Sequence, residues 1–503
     1  MTKILNRESK TVLPNKTMIL VIACVAQFMV VLDLSIVNVA LPSIKTTLGF
    51  SSVDLQWILN SYTLSFAGLL LLGGRVGDIF GRRRVFLFGL VLFGLASLFG
   101  AVASQQWEII FARTLQGVGA AVLSPATLTI ITTTFTEGRE RARALGAWSA
   151  VAGAGGAAGA LFGGILTFYL SWRWTFLINL PIGILVMVLT RLFLSELKSE
   201  TKSSGLDIVG SILVTVGLTA LVFGLVQGGN VGWTATETLA SFVIAVVLLG
   251  TFLYYENYVA TAPIVPLGLF RLRALSVANI AMFMVGGSIF ASWYFLSLYM
   301  QEVLGYTPLR AGLAFVPETL AIIVGAQVSS RVVTRVGVRP LIVAGPLITA
   351  LGLVLLANIT PSSGYLDELL IPSVLITLGM GLTFTPLAIS ATSGVARPMA
   401  GLASGLLNTS RQISGAVGLA GLSSLSVAVT NSSFQKLDKS GHFTHHSAVL
   451  LALSDGYGRA MLISAGIAGI AAVVALFMPV SGSKSALQPV IADPEAVLGF
   501  EGA

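Results

Sequence analysis

Residues 74–84 read GRVGDIFGRRR. Arg75, Asp78, Arg82, Arg83 and Arg84 crowd into this stretch, spaced by Gly74, Gly77 and Gly81. On either side the chain turns to hydrocarbon, ILNSYTLSFAGLLLLG at 58–73 and VFLFGLVLFGLASLFGAVA at 85–103. Each flank belongs to an apolar run long enough to cross a bilayer as a helix. A short loop so rich in arginine resists translocation, so it is expected on the cytoplasmic side. Its glycines let two helix ends approach closely. Asp78, at a helix end, is placed to pair with arginine or to cap the N-terminus of a neighbouring helix.

The rest of the chain has the same character. Of 503 residues, 55% are hydrophobic and only 10% are charged, against about 25% charged in soluble domains. This is the composition of a polytopic membrane protein. The net charge of +8 would suit nucleic acid, but the charges sit in short loops between apolar runs, which points to membrane orientation instead. The single cysteine, Cys24, rules out a disulfide framework within the chain. The basic N-terminus (Lys3, Arg7, Lys10, Lys16) precedes an apolar run that is too long for a signal peptide and carries Asp33. It reads as a retained first helix.

Apolar windows predict fourteen spans: 18–40, 54–74, 85–103, 108–134, 144–168, 174–194, 207–227, 238–258, 274–301, 309–331, 337–357, 369–392, 401–428 and 458–480. Charge supports that count. The loops predicted to be outside hold Lys45, Arg173, Arg310, Lys436, Lys439 and Arg459, while most other Lys and Arg fall inside. Both termini are then cytoplasmic, 1–17 as the N-terminus and 481–503 as a flexible tail. The longest outer loop, about 429–457, carries His442, His445 and His446. H-x-x-H-H suits metal binding or pH sensing, but no cysteine or carboxylate cluster accompanies it. It reads as an exposed loop, and no metal site is expected.

The loop pattern G-x-V-G-D-x-x-G-R-R-R between the second and third spans resembles the signature of the major facilitator superfamily. The resemblance implies an all-α fold with 14 transmembrane helices: a six-helix half at 18–195, two inserted helices at 206–258 and a second six-helix half at 274–480. RVVTRVGVRP at 331–340 falls where a second copy of the loop would lie, with Thr334 in place of the aspartate. LQWILNSYTL (55–64), WRWTFLINLPIG (172–183), GGNVGW (228–233) and PLGLFR (266–271) are further echoes. Within the superfamily, L-D-x-S-I-V-N-V-A-L-P at the first span resembles the fourteen-helix drug:proton antiporters of the EmrB/QacA type.

Several residues inside the spans carry chemistry. An ionised carboxylate such as Asp33 is costly in hydrocarbon, so it must face protein or water, and taking up a proton removes the cost. That suits a proton carrier; a structural aspartate paired for packing is the alternative. Arg113, in IIFARTLQGVGAA, resembles the family's fourth-helix motif, whose arginine is implicated in proton coupling. It stays charged at any working pH and can hold a carboxylate ionised, for coupling or as a static ion pair; the sequence does not fix which carboxylate, and Asp33 is the candidate. Glu318, beside Pro317, suits a cationic substrate or a second proton, unless it is merely wetted at the interface. Arg411, with Asn408 and Gln412 in GLASGLLNTSRQISGAVG, either lines the cavity or ties the halves together. Gly155, Gly159, Gly163 and Gly164 resemble the exporters' fifth-helix motif, with Ala160 where that motif has proline, and such spacing brings helices close. Trp57, Tyr62, Trp148, Phe283 and Tyr294 are candidates for a drug pocket or for packing.

No G-x-x-x-x-G-K-[ST], H-E-x-x-H or G-x-S-x-G occurs, so neither ATP hydrolysis nor a membrane hydrolase is indicated. The chain is not expected to be an enzyme, and no cofactor is expected. The expectation is a secondary transporter of the plasma (inner) membrane, using the proton gradient to export amphipathic or cationic drugs by alternating access. The expected partners are a small-molecule substrate, protons and lipid, with no nucleic acid. The chain would act as a monomer or with accessory envelope proteins. An exporter of one metabolite or natural product and a non-transporting membrane receptor or assembly protein remain as alternatives.

Overall fold

The computed structural model describes residues 15–136, 139–194, 205–396, 399–440 and 442–479, and among these it is helical with no strand. The N-terminal residues 1–14, the tail from 480 onward, and Lys198, Lys202, Arg397 and Lys484 lie outside the described residues. The first half comprises α1 (Lys16–Leu48), α2 (Trp57–Phe80), α3 (Arg82–Val102), α4 (Gln106–Thr134), α5 (Arg139–Tyr169), α6 (Trp174–Leu177) and α7 (Asn179–Phe193). An inserted hairpin follows, α8 (Ile208–Asn230) and α9 (Thr236–Tyr258). The second half comprises α10 (Arg273–Leu298), α11 (Pro308–Ala314), α12 (Val316–Val336), α13 (Val338–Leu356), α14 (Ile371–Thr392), α15 (Ala400–Ser440) and α16 (His445–Ala475).

Among the described residues, thirteen helical segments are long and apolar enough to cross a membrane. The remaining helix of the expected fourteen is α5, which is 31 residues long. Arg139, Glu140, Arg141 and Arg143 open that helix. The expected outer loop at 429–457 is corrected. α15 continues to Ser440 and α16 begins at His445, where the Thr444 side chain accepts from Ser447 N. Phe434 and His445 pack edge to face, 5.3 Å apart, across this hairpin.

Glycine sets the tight joins. Gly81 (φ 97°) is the one residue between α2 and α3, and Gly337 (φ 81°) stands alone between α12 and α13. Both lie in the left-handed region that side chains with a Cβ rarely adopt. The repeat that is faint in sequence is therefore plain in backbone geometry. α8 lies against α2 of the first half and α15 of the second, and Ser424 Oγ donates to Leu225 O at 2.7 Å.

The two ends of the bundle differ. One carries the arginine loop; the other carries Gly49, where α1 ends. At the Gly49 end the halves are tied directly. Lys45 Nζ meets Glu302 Oε1 at 2.7 Å, and Tyr457 OH donates to Glu302 Oε2 at 3.0 Å. Ser297 Oγ donates to Asn38 O at 2.8 Å, and Gln301 Nε2 to Val39 O at 3.1 Å. Around them a core of Ile36, Ala40, Ile44, Tyr294, Leu298 and Ala311 spans both halves. A partly exposed ion pair contributes about 1 kcal/mol or less. Glu302→Gln is therefore expected to leave the fold intact and open this end about fivefold more often. Solvent labelling of a cysteine placed at Asn38 would read this, and an unchanged rate would count against the pair as a tie.

Candidate functional site

Asp33 lies in the middle of α1 with no exposure, and Arg113, also unexposed, reaches it from α4. The Arg113 Nη1 donates to Asp33 Oδ2. Gln116 Nε2 and Asn179 Nδ2 both donate to Asp33 Oδ1, at 2.9 and 2.8 Å. The carboxylate is thus held by one cation and two amides, the pattern that makes a buried charge tolerable. Arg113 is itself positioned. Its Nε donates to Ile58 O at 3.0 Å, its Nη1 also donates to Gln116 Oε1 at 3.0 Å, and its guanidinium lies 4.3 Å over the Tyr62 ring. Ser97 on α3 accepts from Gln116 Nε2 at 2.7 Å. Arg113 Nη2, Tyr62 OH and Asn179 Oδ1 are buried without a hydrogen-bond partner, so donors and acceptors remain for water or substrate.

Asn179 and Ser97 are the residues that sequence reasoning missed. Asn179 was in view within WRWTFLINLPIG, but an asparagine at the start of α7 has no signal of its own until its helix is placed beside α1. Ser97 is the one polar residue of α3 past its three opening arginines, and that polarity was its only hint.

The second half holds a separate polar group. Glu318 is buried in the first turn of α12, past the break at Phe315, with Pro317 where a missing N–H costs least. Its polar neighbours are Trp293 of α10 and Ser373 of α14. Arg411 Nη2 donates to Asn408 Oδ1 at 2.8 Å, and the guanidinium lies 5.7 Å from the Phe384 ring. Its Nε and both amide atoms of Gln412 are buried without partners. Of the candidate aromatics, Tyr62 joins the Arg113 site. Trp57 faces Phe223, Trp148 donates to Thr127, and Tyr294 is buried against Phe295. Phe283 is exposed on the outside.

The glycines of α5 form two contacts rather than one. Gly155, Gly159 and Gly163 face α1 along 28–36; a Cβ at Gly159 would lie 1.7 Å from Ser35 Oγ and 2.8 Å from Leu32 O. Gly164 faces the other half, where a Cβ would lie 2.6 Å from Pro308 O and 3.2 Å from Gly312 Cα. Ala160 sits inside a continuous helix. In the arginine loop, Gly74 and Gly77 are helical residues of α2, and Arg82, Arg83 and Arg84 open α3. Arg83 Nη2 donates to Arg191 O at 3.1 Å. The side chain of Asp78 lies outside the described residues. Among the described residues, no cluster of three His, Cys, Asp or Glu could hold a metal.

The profile of the Major Facilitator Superfamily matches residues 23–419. The cephamycin export protein CmcT of Amycolatopsis lactamdurans is 46% identical over 439 residues, 87% of this chain and 90% of that protein. The puromycin resistance protein pur8 of Streptomyces alboniger is 38% identical, covering 93% of this chain and 92% of the relative. Among solved structures, an inward-facing, unoccupied bacterial homologue of the human lysosomal transporter Spinster superposes with a TM-score of 0.65 at 16% identity, covering 94% of this chain and 98% of that one. An auto-inhibited peptide transporter of the POT family superposes at 0.67 with 14% identity, with the same coverage of both chains. Likeness at such identity speaks for the fold alone. The helical bundle, its many apolar spans and the profile match agree: the chain is a multi-pass membrane protein of the major facilitator superfamily.

Proposed function

We propose that this chain is a proton-driven exporter of amphipathic or cationic small molecules, working by alternating access. The supporting observation is the buried Asp33–Arg113 pair. Arg113 stays charged throughout. A proton delivered to Asp33 removes the charge that Arg113 balances, so the pair loosens and Gln116 and Asn179 are released with it. Loss of the proton to the other side re-forms the pair. Movement of the halves about the midplane then follows the proton. Glu318 and the Arg411, Asn408 and Gln412 group would face substrate from the second half, with unpartnered atoms ready to bind it.

The arginine loop would lie in the cytoplasm of a plasma-membrane protein, with both termini on that side. The Gly49 end, tied by Lys45 and Glu302, would then be the closed outer face. Energy would come from the proton gradient, with no further cofactor. Ethidium efflux from cells, with and without a protonophore, tests this. Efflux that collapses with the gradient supports the proposal, and efflux indifferent to the protonophore would overturn the coupling. A narrower reading, export of one natural product, is favoured by the 46% identity to a relative whose name specifies a single product class. Absence of ethidium efflux together with proton-dependent export of one antibiotic would select it.

A further inference from the structure

The inserted hairpin carries two carboxyl groups that the site above does not use. Asp207 caps the N-terminus of α8 and Glu256 lies in the last turn of α9, both at least nine-tenths buried. One oxygen of each is engaged. Asp207 Oδ1 accepts from Gly210 N at 2.7 Å, and Glu256 Oε2 accepts from Val265 N at 3.2 Å. The other two, Asp207 Oδ2 and Glu256 Oε1, are buried without a partner. These two oxygens converge: a Cβ at Gly210 would lie 2.5 Å from the first and 2.8 Å from the second. Two ionised carboxylates cannot share such a space.

Among the described residues, the surroundings offer no free cation to separate them. α2 contributes Arg75, which is committed elsewhere: Nη1 donates to Ala262 O at 2.6 Å and Nη2 to Pro263 O at 2.7 Å. Against α8, α15 presents Ile413, Ala416, Val417 and Ala420, none of which titrates. On α9, Tyr254 and Tyr258 pack against each other with tilted rings and face outward. Arg271 and Arg273, beyond the loop, are exposed. Asp207 is the charged group that acts on Glu256.

We propose that Asp207 and Glu256 form a second proton-binding site, holding one proton between Asp207 Oδ2 and Glu256 Oε1, and that this proton latches the 260–266 loop to the arginine end. With the proton in place, Glu256 stays beside Asp207 and keeps its bond to Val265 N. The loop then presents the carbonyls of Ala262 and Pro263 to Arg75, the first arginine of the 74–84 motif. When the proton leaves to solvent, both carboxylates are ionised and repel. Glu256 then moves away from Asp207, the Val265 bond breaks and the loop is released from Arg75. The latch holds at lower pH and opens as pH rises. It would connect the inserted helices to the motif at that end independently of Asp33.

The test uses the purified full chain with its one cysteine removed (Cys24→Ser) and a spin label on Thr261→Cys, an exposed loop position. The mobile fraction of the label should rise with pH by about tenfold per unit below the midpoint, the slope a single released proton imposes. In Glu256→Gln the amide mimics the protonated acid, so the label should stay immobile at every pH. Asp207→Asn, which still caps α8, should behave the same way and serves if the first variant does not fold. Each substitution should also remove one protonated-carboxyl band from the infrared difference spectrum. A label whose mobility ignores pH in the parent chain, or still rises with pH in the variants as it does in the parent, would overturn the proposal. Neither readout needs a substrate or transport, so its failure is separate from failure of the efflux reading.

Discussion

Asp33→Asn is expected to reduce proton-dependent efflux to background while the protein still inserts and folds. The substitution keeps the side chain's shape and its capacity to accept from Gln116 and Asn179, but it can neither release a proton nor balance Arg113. Removing one partner of a buried ion pair typically destabilises by about 3–5 kcal/mol. A lower thermal midpoint should therefore accompany the loss of transport, and these two effects need separating. Adding Arg113→Gln to Asp33→Asn removes the stranded charge, and it should restore much of the stability without restoring efflux. A pair that serves packing alone would instead give a double variant that transports. Full proton-dependent efflux from Asp33→Asn alone would remove this carboxylate from the coupling scheme.

Gly164→Val should have the next largest effect, by a different route. A Cβ there would stand 2.6 Å from Pro308 O and 3.2 Å from Gly312 Cα, both in the opposite half. Backbone cannot yield as a flexible side chain can, so valine acts as a wedge between α5 and α11. Overpacking of this kind costs about 1–3 kcal/mol, which corresponds to a shift of roughly 5–150-fold in the balance between closed and open. The Gly49 end should open, transport should fall about in proportion, and a cysteine at Asn38 should label faster. Gly156→Val is the control, because no atom lies within 4 Å of a Cβ there. Equal effects from the two valines would show that general helix disruption, not the contact between halves, is responsible.

Some features of this chain were legible without a structure because one residue type has few uses in a membrane. Asp33 and Arg113 stand out in hydrocarbon, and each requires an opposite charge or water. Arg113 reaching Asp33 is the arrangement that this need favours. Gly81 was legible because a turn between two long helices leaves little choice of residue. The 429–457 segment misled for a physical reason. Hydropathy reports which solvent a helix prefers, whereas continuation of the helix depends on backbone propensity, and residues 422–440 contain neither Gly nor Pro. α15 therefore runs on after its apolar stretch ends.

By itself the sequence determined the class of the molecule, because periodic hydrocarbon of bilayer length with arginine in alternate loops has few other solutions. It also determined which residues had to be accounted for, since charges within spans are expensive. Only the tertiary structure decided how they are satisfied. Asn179 and Ser97 join Asp33 and Gln116 because α7 and α3 pack beside α1 and α4. Gly164 points to the other half while Gly159 points to α1. Asp207 and Glu256, 49 positions apart by their residue numbers, meet where α9 returns alongside α8. Each of these depends on which helix faces trace one another across the bundle. Hydropathy along a single helix does not contain that information, because lipid and a neighbouring helix offer an apolar side chain much the same environment.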